Sequence, residues 1–364
     1  MATNKDIEDY FFFNHQYNSC YADSILMILQ LIHDKTKLFS FHTSQNYTAS
    51  ISRENIKLYK SINNLFDGGD RRKYSTYAAK KQNTVDNISN LIFESSFNCR
   101  DQQDSSEFLM KIITKMSDGT SFNAKSEFMQ SIKNLNNELK PDIFSIKYLS
   151  NFDKYSFILP LFYTIYSTTE KCECGTQVKY TDHTCMTIDI TKKDCQILND
   201  NNISNVINNA IYNKWSKNDT YNSPHNKCKT CNYSIDYKTI KKIWLLPKIL
   251  IVNISRNVNI KDVTEKDKYK IIVDENIDLE QSYGEKSPYS DKRNKYKLFA
   301  LNLHSGNSAV SGHYISVIKV KNKWYKYDDM SNINEFRNYV TDLNQIEING
   351  FDITMAFYEN DNAK

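Results

Sequence analysis

The sequence predicts an α+β fold in three successive parts: a helical stretch over residues 1–140, a strand-rich stretch over 141–245 and a closing sheet over 246–364. Three observations predict it. In the first part apolar residues recur at helical spacing. After Pro141 the pattern changes to Tyr, Ile, Thr and Phe in frequent alternation, the habit of half-buried strands. From Leu246 onward come short apolar runs of the kind a buried sheet uses. With 364 residues, 40% of them hydrophobic, the chain is long enough to bury a substantial core.

In the first part, "SILMILQLIHDKTKLF" from Ser24 is apolar on most of the turn and predicts a largely buried helix. "NTVDNISNLIFESSF" and "QQDSSEFLMKIITKM" predict two amphipathic helices. In the second of these, Phe108, Leu109, Ile112 and Ile113 fall on one face. Asp104 is its expected cap, with Glu107 three residues on in a capping-box arrangement. In the middle part, "DIFSIKYLSNF", "FILPLFYTIYSTTEKC", "TQVKYTDHTCMTIDI" and "SIDYKTIKKIWLL" read as strands. One short helix is expected among them, near Ile203 to Trp215. In the last part, "LPKILIVNISRN", "YKLFALNLHSG", "GHYISVIKVKNKWYKYDD" and "ITMAFYEN" read as strands, with a polar loop over "DENIDLEQSYGEKSPYSDKRNK".

Charge excludes some function classes. The 47 basic and 43 acidic residues give a net charge of +4, and no Lys/Arg block forms a nucleic-acid arm. The N-terminus "MATNKDIEDY" lacks the basic-then-apolar pattern of a secretory signal, and the apolar run Ile25–Ile32 is far too short to span a membrane. A soluble, intracellular protein is expected, with no nucleic-acid or membrane partner. Abundant Asn, Lys, Ile and Tyr point to an AT-rich genome such as that of a large DNA virus or a protist.

Eight Cys in such a chain point to metal binding or catalysis rather than disulfides. Four form two close pairs, Cys172 with Cys174 and Cys228 with Cys231, on strand-rich hairpins. Four thiolates suit a closed, tetrahedral structural Zn²⁺ site, and Gly175 after Cys174 suits a knuckle turn. His225 is an alternative ligand, read here as a solvated loop residue.

Cys20 lies in "YNSCYADSILMILQL", at the start of an apolar helix. A helix N-terminus favours a thiolate and offers amides to an oxyanion. A lone Cys there is more often buried packing. His304 and His313 sit in "LHSGNSAVSGHYISV", close to Gly306 and Gly312, two of only 8 Gly in the chain. Glycine at both places suits close approach by another chain. "WYKYDD" then puts Asp328 and Asp329 at the end of the next strand, where Asp328 can lie beside His313. A Cys, a His and an Asp are what nucleophilic acyl transfer needs.

At this point a family resemblance emerges. "NSCYADS" resembles the Cys box of ubiquitin-specific proteases, closest to the cylindromatosis-protein branch. "QQDSSEFL", "LPKILIVNISRN", "HSGNSAVSGHYISV" with "WYKYDD", and "AFYEN" resemble further boxes of that family, in the family's order along nearly the whole chain. The resemblance implies a papain-like fold with a helical thumb (1–140), zinc-bearing fingers (141–245) and a β-sheet palm (246–364). It implies a deubiquitinating cysteine protease that cleaves after the C-terminal Gly of ubiquitin. By motif, Cys20 is the nucleophile, His313 the general base, Asp328 its orienting partner and Asp329 adjacent support. Gln102, Asp104, Glu107, His304, Gly312 and Tyr314 would line the groove for the ubiquitin tail. Ubiquitin and ubiquitinated proteins are the implied partners, Zn²⁺ the implied cofactor, and a cytoplasmic monomer the expected form, with the nucleus, host cytoplasm or a virion as further settings. One position departs from the pattern: the family's oxyanion Asn, five residues before the Cys, is His15 here, with Asn14 and Gln16 beside it and Asn18 nearer the Cys. That departure keeps open a non-catalytic ubiquitin-binding scaffold on the same fold, and a protease for another ubiquitin-like modifier is a separate alternative.

Overall fold

The computed structural model describes residues 6–7, 10, 18–36, 38, 57–58, 60–62, 66, 88, 101–119, 122–123, 154–156, 158–172, 174–175, 177–195, 207–216, 219–228, 230–231, 234–260, 263–267, 269, 271–280, 294–308, 311–331, 335, 339–340 and 350–360. Of the helix expected over residues 83–97, all but Ile88 lies outside these, as do Asn14, His15, Gln16 and Tyr17. The chain divides into two compact units. The first is Met1–Ile158, Arg256–Lys268 and Phe299–Ala356; the second is Leu159–Ser255, Tyr269–Leu298 and Phe357–Lys364.

In the first unit, helix α1 (Cys20–Thr36) is buried from Cys20 through His33. Its start is held by its own sequence. The Ser19 carbonyl accepts from the Ala22 and Asp23 amides, and the Ser19 hydroxyl donates to Asp23 Oδ2 at 2.7 Å. Asp23 in the first turn and His33 and Lys35 in the last complement the helix dipole. Helix α2 (Ser105–Gly119) is capped by Asp104, whose Oδ1 accepts from the Ser106 and Glu107 amides at 2.7 and 3.1 Å. Its apolar face, Phe108, Leu109, Ile112, Ile113 and Met116, is fully buried. Tyr21 meets Phe108 edge-on at 5.4 Å, which packs α1 against α2.

Two strands, β1 (Phe122–Asn123) and β2 (Lys154–Tyr155), form a small antiparallel pair. A second hairpin joins β9 (Asn257–Ile260) to β10 (Val263–Lys266). The main sheet of this unit contains β12 (Lys295–Ser308, here from Phe299), β13 (Ser311–Val320), β14 (Lys323–Tyr327), β15 (Tyr339–Val340) and the start of β16 (Asp352–Asn360), in the order β15-β14-β13-β12-β16. Lys321 and Asn322, with φ of 46° and 64°, make the two-residue turn between β13 and β14, where both central residues need positive φ.

The second unit carries the sheet β4-β3-β7-β6, antiparallel throughout: β3 (Thr164–Lys171), β4 (Gln177–Cys185), β6 (Asp219–Lys227) and β7 (Ser234–Leu245). β5 (Thr187–Ile190) pairs in parallel with β8 (Ile249–Ile254), an almost continuously buried run, as expected of a parallel strand. Among the described residues it also has the short helices α3 (Leu159–Phe162) and α4 (Lys192–Cys195) and the longer α5 (Ile207–Ser216). Asp274 caps α5 by accepting the Asn208 amide at 3.0 Å. β11 (Asn276–Asp278) falls inside the stretch expected to be a polar loop and pairs with Lys295–Lys297 of β12. His225 likewise belongs to strand β6 rather than to a loop.

Candidate active site

Every part of the candidate site described here lies in the first unit. Cys20 is the first residue of α1 and is buried, at 2% exposure. His313 is the third residue of β13, opposite Ser305 of β12. Tyr327, the last residue of β14, pairs with Ser316, so Asp328 emerges at the same end of the sheet as His313. His313 Nε2 is 2.9 Å from Asp328 Oδ1 and 3.7 Å from Asp329 Oδ1. The Met330 amide donates to the same Asp328 oxygen at 3.1 Å, and the Ser331 amide and hydroxyl donate to the Asp328 carbonyl. The turn after β14 therefore holds the carboxylate in place.

Cys20 lies beside the His313 ring, near enough for its sulfur to favour the protonated ring. With Nε2 turned to the carboxylates, Nδ1 is the ring atom left for sulfur. Burial by itself pushes His313 down. The hydrogen bond to Asp328, the Cys20 sulfur and the charge of Asp329 outweigh it and hold His313 up at about 10. Burial pushes Asp328 up, but its hydrogen bond and charge pairing with His313 win, so its carboxyl sits below the usual range.

The residues expected to line the groove separate. Gln102 makes a two-way amide bridge to Gly312: its Nε2 donates to the Gly312 carbonyl at 2.9 Å, and the Gly312 amide donates to Gln102 Oε1 at 3.0 Å. Asp104 is engaged as the α2 cap. The Tyr314 ring packs at 4.3 Å on the His304 ring, and burial followed by the charge of Asp104 pushes its phenol well above the ordinary value. Glu107 stands apart from these: its carboxylate pairs with Lys111 at 3.5 Å on the exposed flank of α2. Gly306 and Gly312 both have φ of 147°, a region open to glycine. A Cβ on Gly312 would come within 1.9 Å of the Ser305 carbonyl oxygen and 2.6 Å of His304 Nε2.

Beneath the site is a buried polar knot that sequence reasoning missed. Asn302 on β12 is fully buried. Its Oδ1 accepts from Ser105 Oγ (2.7 Å) and Thr354 Oγ1 (2.8 Å), and its Nδ2 donates to Ser24 Oγ (2.9 Å) and the Ile315 carbonyl (3.4 Å). One side chain thus ties α1, α2, β12, β13 and β16 together with all its hydrogen-bonding capacity used. The available signal was an amide placed inside the otherwise apolar run "LFALNL".

The second unit holds the paired cysteines. Lys171 pairs with both Gln177 and Lys238, and Lys227 with Ser234, so the β3–β4 and β6–β7 tips lie at one end of the sheet. Cys172, Cys174, Cys228 and Cys231 meet there, with all four sulfurs within 4.8 Å of one another. The sulfurs are 3.6 Å apart for Cys172–Cys231 and 3.7 Å for Cys174–Cys228. Four sulfurs at ~2.3 Å from a tetrahedral zinc would stand ~3.8 Å apart, so the donor set fits such an ion. The Gly175 amide closes a turn onto the Cys172 carbonyl at 2.8 Å, with Gly175 at φ 83°. The amides of Cys231 and Thr230 hold Cys228 down at about 6, preparing one thiolate.

Fold and site together define a class: a papain-like α+β fold with a Cys–His–Asp arrangement at the N-terminus of its buried helix. The family model of ubiquitin carboxyl-terminal hydrolase matches residues 13–346, and the chain belongs to that family. It is 32% identical over 148 residues to ubiquitin carboxyl-terminal hydrolase 7 of Saccharomyces cerevisiae, a match covering 35% of this chain and 12% of that relative's own length. Among solved structures, it is similar to a chain of the SAGA DUB module Ubp8/Sgf11/Sus1/Sgf73 bound to monoubiquitin, with TM-score 0.69 and 16% identity over 99% of this chain and 71% of that one. The same module bound to ubiquitin aldehyde gives TM-score 0.68 and 16% identity over 97% and 70%. These likenesses concern the fold.

Proposed function

We propose that the chain is a deubiquitinating cysteine protease that cleaves the isopeptide or peptide bond after the C-terminal Gly of ubiquitin. The observation that carries this reading is the His313 ring, paired with Asp328 at 2.9 Å and lying beside Cys20, within a chain of the ubiquitin carboxyl-terminal hydrolase family.

In this mechanism His313 takes the Cys20 proton and Asp328 fixes the ring through Nε2. The sulfur attacks the glycine carbonyl, forming a C–S bond. The α1 N-terminus supplies main-chain amides to the oxyanion. His313 returns the proton to the leaving amine as the C–N bond breaks. Water, deprotonated by His313, then cleaves the thioester, releasing the carboxylate and the thiol. Asp329 adds charge beside the imidazolium, and Gln102, Asp104, Glu107, His304, Gly312 and Tyr314 are assigned to the tail groove. The four paired cysteines would hold a structural Zn²⁺, which clamps the two hairpin tips and takes no part in the chemistry. The division into thumb (1–140), fingers (141–245) and palm (246–364) is proposed with the same reading.

The test is labelling by a panel of electrophilic probes built on ubiquitin and on ubiquitin-like modifiers, applied to wild type and Cys20→Ala. Labelling of wild type by the ubiquitin probe, lost in Cys20→Ala, is expected. Equal labelling of Cys20→Ala, or labelling of wild type only by another modifier, would overturn the reading.

A further inference from the structure

At the end of β10, Lys266 reaches His304. Its ammonium is 2.8 Å from Asp352 Oδ2, 2.9 Å from the His304 carbonyl oxygen, 3.2 Å from His304 Nδ1 and 3.4 Å from the Gly306 carbonyl oxygen. Both partners are inside the protein: His304 is 1% exposed and the Lys266 side chain 3%. An ammonium paired to a carboxylate has donors only. Nδ1 must therefore present its lone pair to Lys266, and the single proton of a neutral ring must sit on Nε2.

A second observation concerns that other nitrogen. His304 Nε2 is buried and has no hydrogen-bond partner among the described residues. It faces the bare α-carbon of Gly312, since a Cβ there would come within 2.6 Å. The Gly312 amide and carbonyl are in turn held by Gln102. A buried N–H without an acceptor is costly, and a ligand carbonyl placed beside it would remove that cost.

We propose that Lys266, anchored by Asp352, is a positioning residue that fixes His304 in its neutral, Nε2-protonated form, whose N–H donates to a main-chain carbonyl of the glycine-ended substrate tail beside Gly312. The tail rests on the proposed hydrolase function; the tautomer is a property of this chain alone. The groups facing His304 act in the required direction overall. Burial, then Lys266, holds its pKa down at about 4, with His313 adding to this and Asp104 and Asp352 opposing it, while the Tyr314 ring covers one face. Two histidines of one site are thus pushed in opposite directions, His313 up and His304 down.

The experiment is nitrogen NMR of ¹⁵N-histidine-labelled full chain, with His304→Gln to assign the signal, alongside steady-state kinetics on a fluorogenic ubiquitin C-terminal amide. Wild type should show His304 protonated at Nε2, bare at Nδ1, and not titrating between about pH 8 and 5.5. Lys266→Met should lose the tautomer bias and titrate nearer the ordinary histidine value, with KM raised about tenfold and kcat within about twofold. Lys266→Arg, which keeps a buried donor, should restore the wild-type spectrum, and Asp352→Asn should weaken the bias in the same direction as Lys266→Met. A wild-type ring protonated at Nδ1, an unchanged spectrum in Lys266→Met, or a loss confined to kcat would overturn the proposal. The wild-type spectrum decides the tautomer even if Lys266→Met does not fold. An inactive wild type with the expected spectrum would remove the tail and the hydrolase reading while leaving the tautomer lock in place.

Discussion

Replacing Asp328 with Asn removes a charge and almost no volume. In the wild type, His313 Nε2 stands 2.9 Å from Asp328 Oδ1, and the ring is held at about 10 against the histidine reference value of 6.5. An opposite charge at this range shifts a pKa by about 1–3 units. Asp329 remains at 3.7 Å in the variant, and Cys20 remains on the other nitrogen, so His313 should fall by about 1–3 units and stop short of the ordinary value. The assay is kcat/KM against pH on a fluorogenic ubiquitin C-terminal amide, whose basic limb reports the free enzyme's essential acid. Wild type should keep its basic limb near pH about 10, and Asp328→Asn should bring it down by about 1–3 units. Stability carries the same sign. A histidine whose folded pKa is raised stabilises fully below its unfolded value of about 6.5, and that contribution fades as pH rises through the folded value of about 10. The urea midpoint of the wild type should therefore fall over this window, and that of Asp328→Asn should fall less. A basic limb that stays put or moves upward in the variant would refute the pairing of His313 with Asp328 as the source of the raised pKa.

Other outcomes follow from the packing. Gly312→Ala puts a methyl within 1.9 Å of the Ser305 carbonyl oxygen at a φ that side chains avoid, so probe labelling of Cys20 should drop at least about tenfold; labelling at the wild-type rate would remove the close approach from the site. Asn302→Leu strands Ser105 Oγ and takes the amide from Ser24 and Ile315, while Thr354 keeps the Asn302 carbonyl at 3.1 Å. One or two buried groups at about 1–3 kcal/mol each give a loss of about 2–4 kcal/mol in urea unfolding, and a loss under about 0.5 kcal/mol would contradict the knot's role. Elemental analysis should find one zinc per chain, with chelation or Cys228→Ser removing it and lowering the melting temperature; metal-free protein of unchanged stability would contradict the structural site.

Much of this was legible in the sequence because its causes are local. The Asp104 cap, the apolar face of α2 and the buried α1 depend on neighbours three or four residues away. The Cys pairs and the His313–Asp328 approach depend on one hairpin each. The knot at Asn302 was not legible, since its partners Ser24, Ser105 and Thr354 are 278, 197 and 52 residues away, and each hydroxyl alone is an ordinary Ser or Thr. The same holds for Lys266, which meets His304 across 38 residues. β11 was hidden by its polar composition. It pairs through main-chain groups alone, with only Ile277 buried between exposed Asn276 and Asp278.

The most direct measurement is turnover of an isopeptide-linked ubiquitin dimer by wild type and Cys20→Ala, with the intact mass of each protein recorded after mixing. Release of monomer by wild type and none by a folded Cys20→Ala is the result expected of the Cys20–His313–Asp328 chemistry. Release of monomer by Cys20→Ala at a comparable rate would contradict it.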